Sequence, residues 1–248
     1  MQQVQLLASQ VNSGSFSEFI EKICSLASQK DSSYVCFANV HMLVEAYDDP
    51  SFNQVLQKAA LVTPDGMPLA KLMKWRHKLD QERVAGMDVV PVLFKEASER
   101  GLRIFMLGDT EELLEELENQ LAIDFPRLVV AGSYSPPFRN LSDSEKEEVI
   151  HMVNEAKPDL LLVALGCPKQ EKWMAEHTGK IQATMLGIGN ALRTYLGKEK
   201  RAPIWMQKMA LEWLYRLLQN PGRLWKRYFI TNGKFILLNL GLMLSGKS

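Results

Sequence analysis

Short apolar runs alternate with longer amphipathic stretches along most of the chain. The apolar runs are rich in Val, Ile and Leu, which predicts strands at 34–38, 60–63, 103–107, 128–133, 160–165 and 184–188. The stretches between them carry apolar residues at helical spacing. This alternation is typical of βαβ units, so the sequence predicts an α/β fold with a mostly parallel sheet and flanking helices.

Two of the predicted helices have recognisable starts. Thr110 can cap a helix over 111–121, where Glu111 and Glu112 suit the positive end of the helix dipole. Ser142 and Glu145 have the spacing of a capping box at the start of another helix.

The pattern changes near Ala202. From there the spacing is helical, with a break at Asn220-Pro221-Gly222 and no further predicted strand. Residues 1–197 carry 19 Lys and Arg against 27 Asp and Glu, whereas residues 198–248 carry 10 against 2. We therefore divide the chain into an acidic core, 1–198, and a basic, aromatic-rich appendage, 199–248.

The appendage allows two interpretations. Trp205, Trp213 and Trp225 are interleaved with Arg and Lys, as in helices that lie at a membrane interface and meet anionic lipid. Alternatively, they form the interior of a packed helical hairpin. Both interpretations are correct if one face of the hairpin is buried and the other faces the membrane.

Composition narrows the class of protein. The chain has 248 residues, 46% hydrophobic and 23% charged, which is ordinary for a globular protein. Its net charge of zero does not indicate a nucleic-acid binder. Three scattered cysteines argue against disulfides and zinc, and the N-terminus lacks a signal peptide, so we expect a cytoplasmic protein. The apolar run 235–244 has about half the length of a spanning helix.

Unusual residues follow several predicted strands, at the edge where ligands bind in open α/β sheets. Asn39 follows the first strand, and it either binds a ligand or satisfies loop backbone. Asp65 lies in Pro-Asp-Gly after the second, where the turn would aim a carboxylate into the crevice, although the same triplet is a plain turn signal. Gly108 and Asp109 precede a helix N-terminus that suits a phosphate or ribose.

The strand at 160–165 leads into the most informative segment. It ends at Gly166, after which Lys169 and Gln170 are expected beside free backbone N–H groups that stabilise anionic oxygen. Glu171 and Lys172 are expected to be solvated surface charges. Gly187, Gly189 and Asn190 predict a second loop of close approach, and the Gly-x-Gly-x-x-Gly pattern of dinucleotide sites is absent.

These runs closely resemble the WecG/TagA/CpsF glycosyltransferases, which form glycosyltransferase family 26. The resemblance extends from Asn39 to Phe235 in unbroken order. It is carried by the runs Asn39-Val-His, Thr63-Pro-Asp-Gly66, Arg83-Val-Ala-Gly-Met-Asp88, Ala164-Leu-Gly-Cys-Pro-Lys-Gln-Glu-Lys-Trp173, Lys200-Arg-Ala-Pro-Ile-Trp-Met-Gln207, Glu212-Trp-Leu-Tyr-Arg216 and Arg223-Leu-Trp-Lys-Arg-Tyr228.

The resemblance implies a Rossmann-like core and an inverting transfer of a sugar from a UDP-sugar to an undecaprenyl-diphosphate-linked saccharide. It places the enzyme at the inner face of the bacterial membrane, in synthesis of cell-surface polysaccharide. It implies that Asp65 is the base, that Arg83 handles diphosphate or acceptor, and that the appendage helps to complete the site. The further substrate-binding candidates are Asn39, Gly108, Asp109, Tyr134, Lys169, Gln170, Gly187, Gly189, Asn190, Arg193, Arg216, Arg223 and Arg227.

We expect neither a cofactor nor a metal. An inverting displacement needs one carboxylate to take the acceptor proton, and the departing diphosphate needs positive charge. The chain has no Asp-x-Asp pair for a divalent ion, so Arg83 and the appendage arginines are the expected substitutes.

Two positions depart from the family pattern. Phe37 stands where many members have Thr, and Arg193 stands where many have Asp. The departure at Arg193 could favour an acidic donor, such as a uronic acid, over an N-acetylmannosamine-type sugar. The alternatives are a catalytically idle, nucleotide-binding membrane scaffold and, less favoured by the acidic core, a nucleic-acid binder. Self-association is open, since a detached appendage would expose an apolar groove.

Overall fold

A computed structural model describes residues 1–244, without the side chains of Arg223, Arg227, Met243 and Leu244. The strands are β1 (Gln2–Leu6), β2 (Ser9–Ser13), β3 (Ser33–Ala38), β4 (Leu61–Pro64), β5 (Arg103–Gly108), β6 (Val129–Tyr134), β7 (Leu160–Ala164) and β8 (Thr184–Gly187). The helices are α1 (Phe16–Gln29), α2 (Val40–Asp48), α3 (Pro50–Gln57), α4 (Met67–His77), α5 (Gly86–Arg100), α6 (Glu111–Asp124), α7 (Asp143–Ala156), α8 (Lys169–His177), α9 (Ala191–Tyr195), α10 (Ile204–Lys208), α11 (Glu212–Gln219) and α12 (Pro221–Leu244).

Six strands form the central sheet, in the order β4-β3-β8-β7-β5-β6, and every neighbouring pair is parallel. Each of the six predicted strands is confirmed, with ends that differ by at most one residue. Because all six run the same way, their carboxyl ends meet along one edge of the sheet. The predicted α/β class with a parallel sheet is therefore correct.

Helices cover both faces of the sheet. Side chains of each strand alternate between two apolar layers, so Cys36 packs with one layer and Val35 with the other. The first layer includes α2, α3, α7 and the N-terminal hairpin, and the second includes α1, α5 and α6. Phe37 is 3% exposed in the second layer, so this residue contributes packing rather than a polar group to the sheet edge.

A small antiparallel hairpin, β1 with β2, precedes the predicted elements and was not anticipated. It lies beside the edge strand β4, where the side-chain oxygen of Asn12 accepts a hydrogen bond of 2.8 Å from the backbone N–H of Val62. The hairpin thus covers part of a sheet edge that would otherwise present unpaired backbone groups. Its residues are mostly polar, which hides the alternation that marks a strand.

Both predicted helix starts are confirmed. Thr110 accepts a hydrogen bond of 3.4 Å from the backbone N–H of Leu113 at the start of α6. Ser142 and Glu145 form a reciprocal capping box at the start of α7.

The described part of the appendage is helical, with the predicted break between α11 and α12 at Asn220. Helix α12 packs along α2, where Phe235 enters the first apolar layer and Lys234 pairs with Asp48. Among the described residues, no helix combines the length and the apolar character needed to span a bilayer.

The last eight residues, Gly-Leu-Met-Leu-Ser-Gly-Lys-Ser, have the glycine and lysine spacing of a phosphate-binding P-loop. A P-loop joins a strand to the helix that follows it. Gly241 instead lies inside α12, which follows another helix, and residues 245–248 are outside the described range. Of the described residues, Gly241 therefore lies in a helix and not at the end of a strand, as the first glycine of a P-loop would.

Candidate active site

Asp65 lies where the prediction placed it, directly after β4. Its backbone N–H donates to the carbonyl of Ala38 at 2.7 Å, which fixes the residue to the end of the neighbouring strand β3. Gly66 then adopts a φ of 122°, which favours glycine, and α4 begins at the next residue. The turn predicted from Pro-Asp-Gly is thus present, and it points Asp65 into a cavity.

The cavity lies between the core and the appendage and has a volume of about 120 Å³. The core side is formed by the ends of β3 and β4 and the first turn of α2, with Asn39, His41 and Asp65. The appendage side is formed by α11 and α12, where the rings of Trp213 and Tyr228 meet edge to face at 6.0 Å. The appendage residues that line the cavity are Gln207, Ala210, Glu212, Trp213, Arg216, Tyr228, Thr231 and Asn232.

The carboxyl group of Asp65 has an unusual environment. Burial raises the pKa of Asp65 to about 7, and the carboxylate of Glu212 adds to the effect. Arg216 and Arg83 oppose the rise, and Asp88 supports it. A carboxyl with a pKa near neutrality accepts a proton much more readily than an ordinary aspartate does.

Arg83 connects the core to the appendage. Its guanidinium donates to Asp88 at 2.6 Å, to Glu212 at 2.6 Å and to the side-chain oxygen of Gln207 at 2.9 Å. The backbone beside it is held to β4, because Val84 donates to the carbonyl of Pro64 at 3.0 Å. Arg83 therefore lies near Asp65, but its guanidinium hydrogen bonds are with two protein carboxylates and an amide.

Gln170 joins two loops at the sheet edge. It is 3% exposed, and its Oε1 accepts from the backbone N–H groups of Gly166 and Gly189, both at 3.1 Å. Its Nε2 donates to the carbonyl of Gly187 and to Glu171, both at 2.7 Å. The predicted free N–H groups beside Gln170 are thus partly occupied by its own side chain, which fixes the glycine loops in place.

Glu171 corrects an expectation. It was predicted to be a solvated surface charge, but it is 0% exposed, and burial raises its pKa to about 7. Hydrogen bonds from Gln170 and Cys167 partly offset that rise. The misprediction arose because α8 turns this position inward against the sheet, beside Gly187 of β8, whereas Lys172, as expected, is exposed.

Asp109 and Arg193 come together near the carboxyl end of β5. Asp109 has a left-handed φ of 65°, and its carboxylate receives two hydrogen bonds from Arg193, one of them at 2.8 Å from Nε. Ser135 donates to the carbonyl of Asp109 at 2.7 Å, which joins the ends of β5 and β6. The cation of Arg193 is therefore paired within the protein.

The remaining candidates divide into three groups. Tyr134 ends β6 and Asn190 follows the loop after β8, both at the sheet edge, and Asn190 donates to Glu199. Lys169 is exposed at the start of α8. Arg216 lines the cavity, whereas the side chains of Arg223 and Arg227 lie outside the described residues.

The sequence did not identify Glu212 or Gln207 as members of the site. Glu212 follows Arg83 by 129 positions, so nothing local in the sequence connects them. One signal was available, since Glu212 is one of only two acids in the basic segment 198–248. Among the described residues, no three His, Cys, Asp or Glu side chains come together as a metal-binding group.

Comparison with known proteins gives a consistent result. The model of the glycosyl transferase WecG/TagA/CpsF family matches residues 4–248. Three similar proteins bear the name N-acetylglucosaminyldiphosphoundecaprenol N-acetyl-beta-D-mannosaminyltransferase. That of Bacillus subtilis strain 168 is 30% identical over 87% of this chain and 82% of its own length. That of Bacillus spizizenii is 32% identical over 80% and 76%, and that of Staphylococcus aureus strain MW2 is 26% identical over 90% and 86%.

Proposed function

The chain belongs to the WecG/TagA/CpsF family and is a glycosyltransferase, and we propose that it transfers N-acetylmannosamine from a UDP-sugar to N-acetylglucosaminyl-diphosphoundecaprenol. The acceptor and the transferred sugar are those in the names of its relatives. The observation that carries the proposal is Asp65, whose carboxyl with a raised pKa lines a cavity opposite Arg216.

Asp65 is the general base of the proposed reaction. It takes the proton from the acceptor hydroxyl while that oxygen attacks the anomeric carbon, and the bond to the UDP oxygen breaks on the opposite face. A single displacement of this kind inverts the configuration at that carbon. The end of β4 holds Asp65 rigidly, which supports a fixed position for the base.

Arg216 supplies positive charge for the departing diphosphate. It lines the same cavity as Asp65, and a guanidinium matches the geometry of phosphate oxygens. Arg223 and Arg227 remain further proposed cations for this step. Because Arg83 is occupied by Asp88 and Glu212, we assign it to the placement of the appendage rather than to direct contact with diphosphate.

We propose an uncharged N-acetyl sugar rather than a uronic acid as the donor sugar. An acidic sugar would need a cation that is free to bind its carboxylate. Arg193, which prompted the idea of an acidic donor, is instead paired with Asp109, whose side chain is 5% exposed.

The exposed face of α12 is the proposed membrane contact. Trp225, Phe229, Ile236 and Leu240 follow one another at intervals of 4, 7 and 4 residues, which places them on one helix face, and each is at least 48% exposed. A different face of α12, which includes Phe235, packs on α2. We therefore propose that the protein lies at the inner face of the cell membrane, where a polyprenyl acceptor would reside.

The function is tested by transfer with the purified wild-type protein. Radiolabelled UDP-N-acetylmannosamine and the corresponding UDP-uronic acid are offered separately with N-acetylglucosaminyl-diphosphopolyprenol, each with and without excess EDTA. We expect lipid-linked product from the N-acetyl sugar, at equal rates in both conditions. No product from either donor would contradict the enzyme assignment and favour a scaffold. Product lost in EDTA would contradict metal independence alone.

The membrane contact is tested by the double substitution of Phe229→Ser and Ile236→Ser, since both side chains lie on this face and are 82% and 57% exposed. The affinity for vesicles that contain phosphatidylglycerol, measured by co-sedimentation, should fall by roughly tenfold or more, because two exposed apolar side chains are lost. The control is Ile123→Ser on α6, which removes an equally exposed apolar side chain, 73%, from the core. Equal binding by the double variant and the wild type would contradict this contact.

A further inference from the structure

We infer that Glu212 is the positioning residue that fixes the appendage over Asp65, because its carboxylate joins Arg83 of the core to Arg216 of the appendage at the wall of the cavity. The inference rests on the proposed function for its connection to catalysis. Its structural part stands on contacts within the protein alone.

The Arg83 to Glu212 pair is well built. The guanidinium nitrogen lies 2.6 Å from Glu212 Oε2, with the two side chains only 11% and 23% exposed. Charge-assisted hydrogen bonds of this length, partly shielded from water, hold groups in place far better than surface ion pairs do. Glu212 is the first residue of α11, so the bond fixes the start of that helix.

The same carboxylate has a second partner. Its Oε1 lies 3.8 Å from Arg216, one turn further along α11. Arg216 and Glu212 both line the cavity that contains Asp65. One acid therefore places two arginines, one from each side of the boundary between core and appendage.

Further contacts strengthen this connection on the other side of Arg83. Asp88 accepts from Arg83 and also pairs with Arg201 at the start of the appendage. Gln207 accepts from Arg83 and donates to the carbonyl of Ala202 at 2.7 Å. The network alternates in charge from Arg201 through Asp88, Arg83 and Glu212 to Arg216, so removal of Glu212 separates Arg216 and the start of α11 from Arg83.

The position of Glu212 also affects Asp65. The charged and titratable side chains around Asp65 are Glu212 and Arg216 on α11, Arg83 before α5, Asp88 on α5, His41 on α2 and Tyr228 on α12. After burial, Glu212 makes the largest contribution to the raised pKa of Asp65. Loss of the Glu212 charge removes a repulsion, and release of the appendage reduces burial. Each change favours the ionised carboxylate and so lowers the pKa of Asp65.

The experiment compares wild type, Glu212→Gln and Glu212→Asp, with Glu115→Gln as the matched control on the exposed side of α6. The first measurement is amide hydrogen exchange of α11, which needs no substrate. We expect roughly tenfold faster exchange across 212–219 in Glu212→Gln, because the helix loses a charge-assisted bond to the core. Unchanged exchange would overturn the positioning role.

The second measurement is the pH profile of kcat/KM for transfer. We expect the midpoint in Glu212→Gln to move down by roughly one pH unit, with Glu212→Asp returning toward wild type and Glu115→Gln unshifted. A midpoint that stays with wild type would overturn the connection to Asp65. Absence of transfer in the wild type would contradict the proposed function, and the exchange result would still decide the positioning role.

Discussion

Asp65 and Glu171 are two carboxyl groups that share a raised pKa but lie in different surroundings. Asp65 directly follows β4 and Glu171 lies in the first turn of α8, after β7, and burial raises the pKa of each to about 7. Asp65 lines a cavity closed by the appendage, with Arg216 on the appendage side of that cavity. Glu171 is 0% exposed, and it accepts a hydrogen bond from Gln170, which also donates to the carbonyl of Gly187.

The difference shows that a raised pKa reports burial, and that access decides whether the group can do chemistry. Asp65 can meet a substrate hydroxyl, because open space adjoins its carboxyl. Glu171 has no such space, since a methyl group at Gly187 would already come within 3.2 Å of its Oε1. We therefore assign Glu171 to holding Gln170 and its two glycine loops, and Asp65 to proton transfer.

The largest expected effect comes from replacing each acid with its isosteric amide. This pair of substitutions distinguishes the two roles. Asp65→Asn should lower the turnover number for transfer by about 10² to 10⁴-fold, because a neutral amide cannot take the acceptor proton. Glu171→Gln should remain within about tenfold of wild type, a barrier change below about 1.4 kcal/mol. Initial rates at saturating substrates and pH 8 measure both.

The control for this comparison is Asp31→Asn, at an exposed position before the amino end of β3, whereas Asp65 lies at the carboxyl ends of the strands. It should match wild type. Asp65→Asn with turnover within tenfold of wild type would remove Asp65 as the base. A loss in Glu171→Gln as large as that in Asp65→Asn would remove the distinction between the two acids.

The sequence predicted one of these carboxyls and misjudged the other, for a physical reason. Asp65 stands between Pro and Gly after an apolar run, so local turn chemistry and the rule of parallel strand ends were enough to place it. Glu171 lies in Lys-Gln-Glu-Lys-Trp, a mostly polar run that predicts a solvated helix turn. Its burial depends on how α8 packs against β7 and β8, which no short window of sequence records.

The same limit applies across the boundary between core and appendage. Strands, caps and the break near Pro221 follow from local spacing and were predicted. Arg83 was predicted as a site residue, but its pairing with Glu212, which lies 129 positions away, follows from no local spacing. The contacts that close the cavity are therefore the part of the site that required the three-dimensional structure.

The smaller expected effect concerns stability, and it sharpens the comparison for Glu171. In the unfolded chain this group ionises near its ordinary pKa of 4.5, whereas the folded protein keeps its proton until about pH 7. Between these values the folded state binds more protons, so the free energy of unfolding falls as pH rises. Asp65, with its pKa also raised to about 7, acts in the same direction.

Urea denaturation at pH 5 and pH 8 measures this dependence in wild type and in Glu171→Gln. The wild type should lose stability between the two values, and Glu171→Gln should lose about 2 kcal/mol less, because the amide has no proton to release. Glu115→Gln, at an exposed position on α6, should follow the wild type. An equal loss in Glu171→Gln and wild type would mean that Glu171 is ionised in the folded protein across this range. It would then be a buried anion held by Gln170 and Cys167, and the contrast with Asp65 would rest on access to the cavity alone.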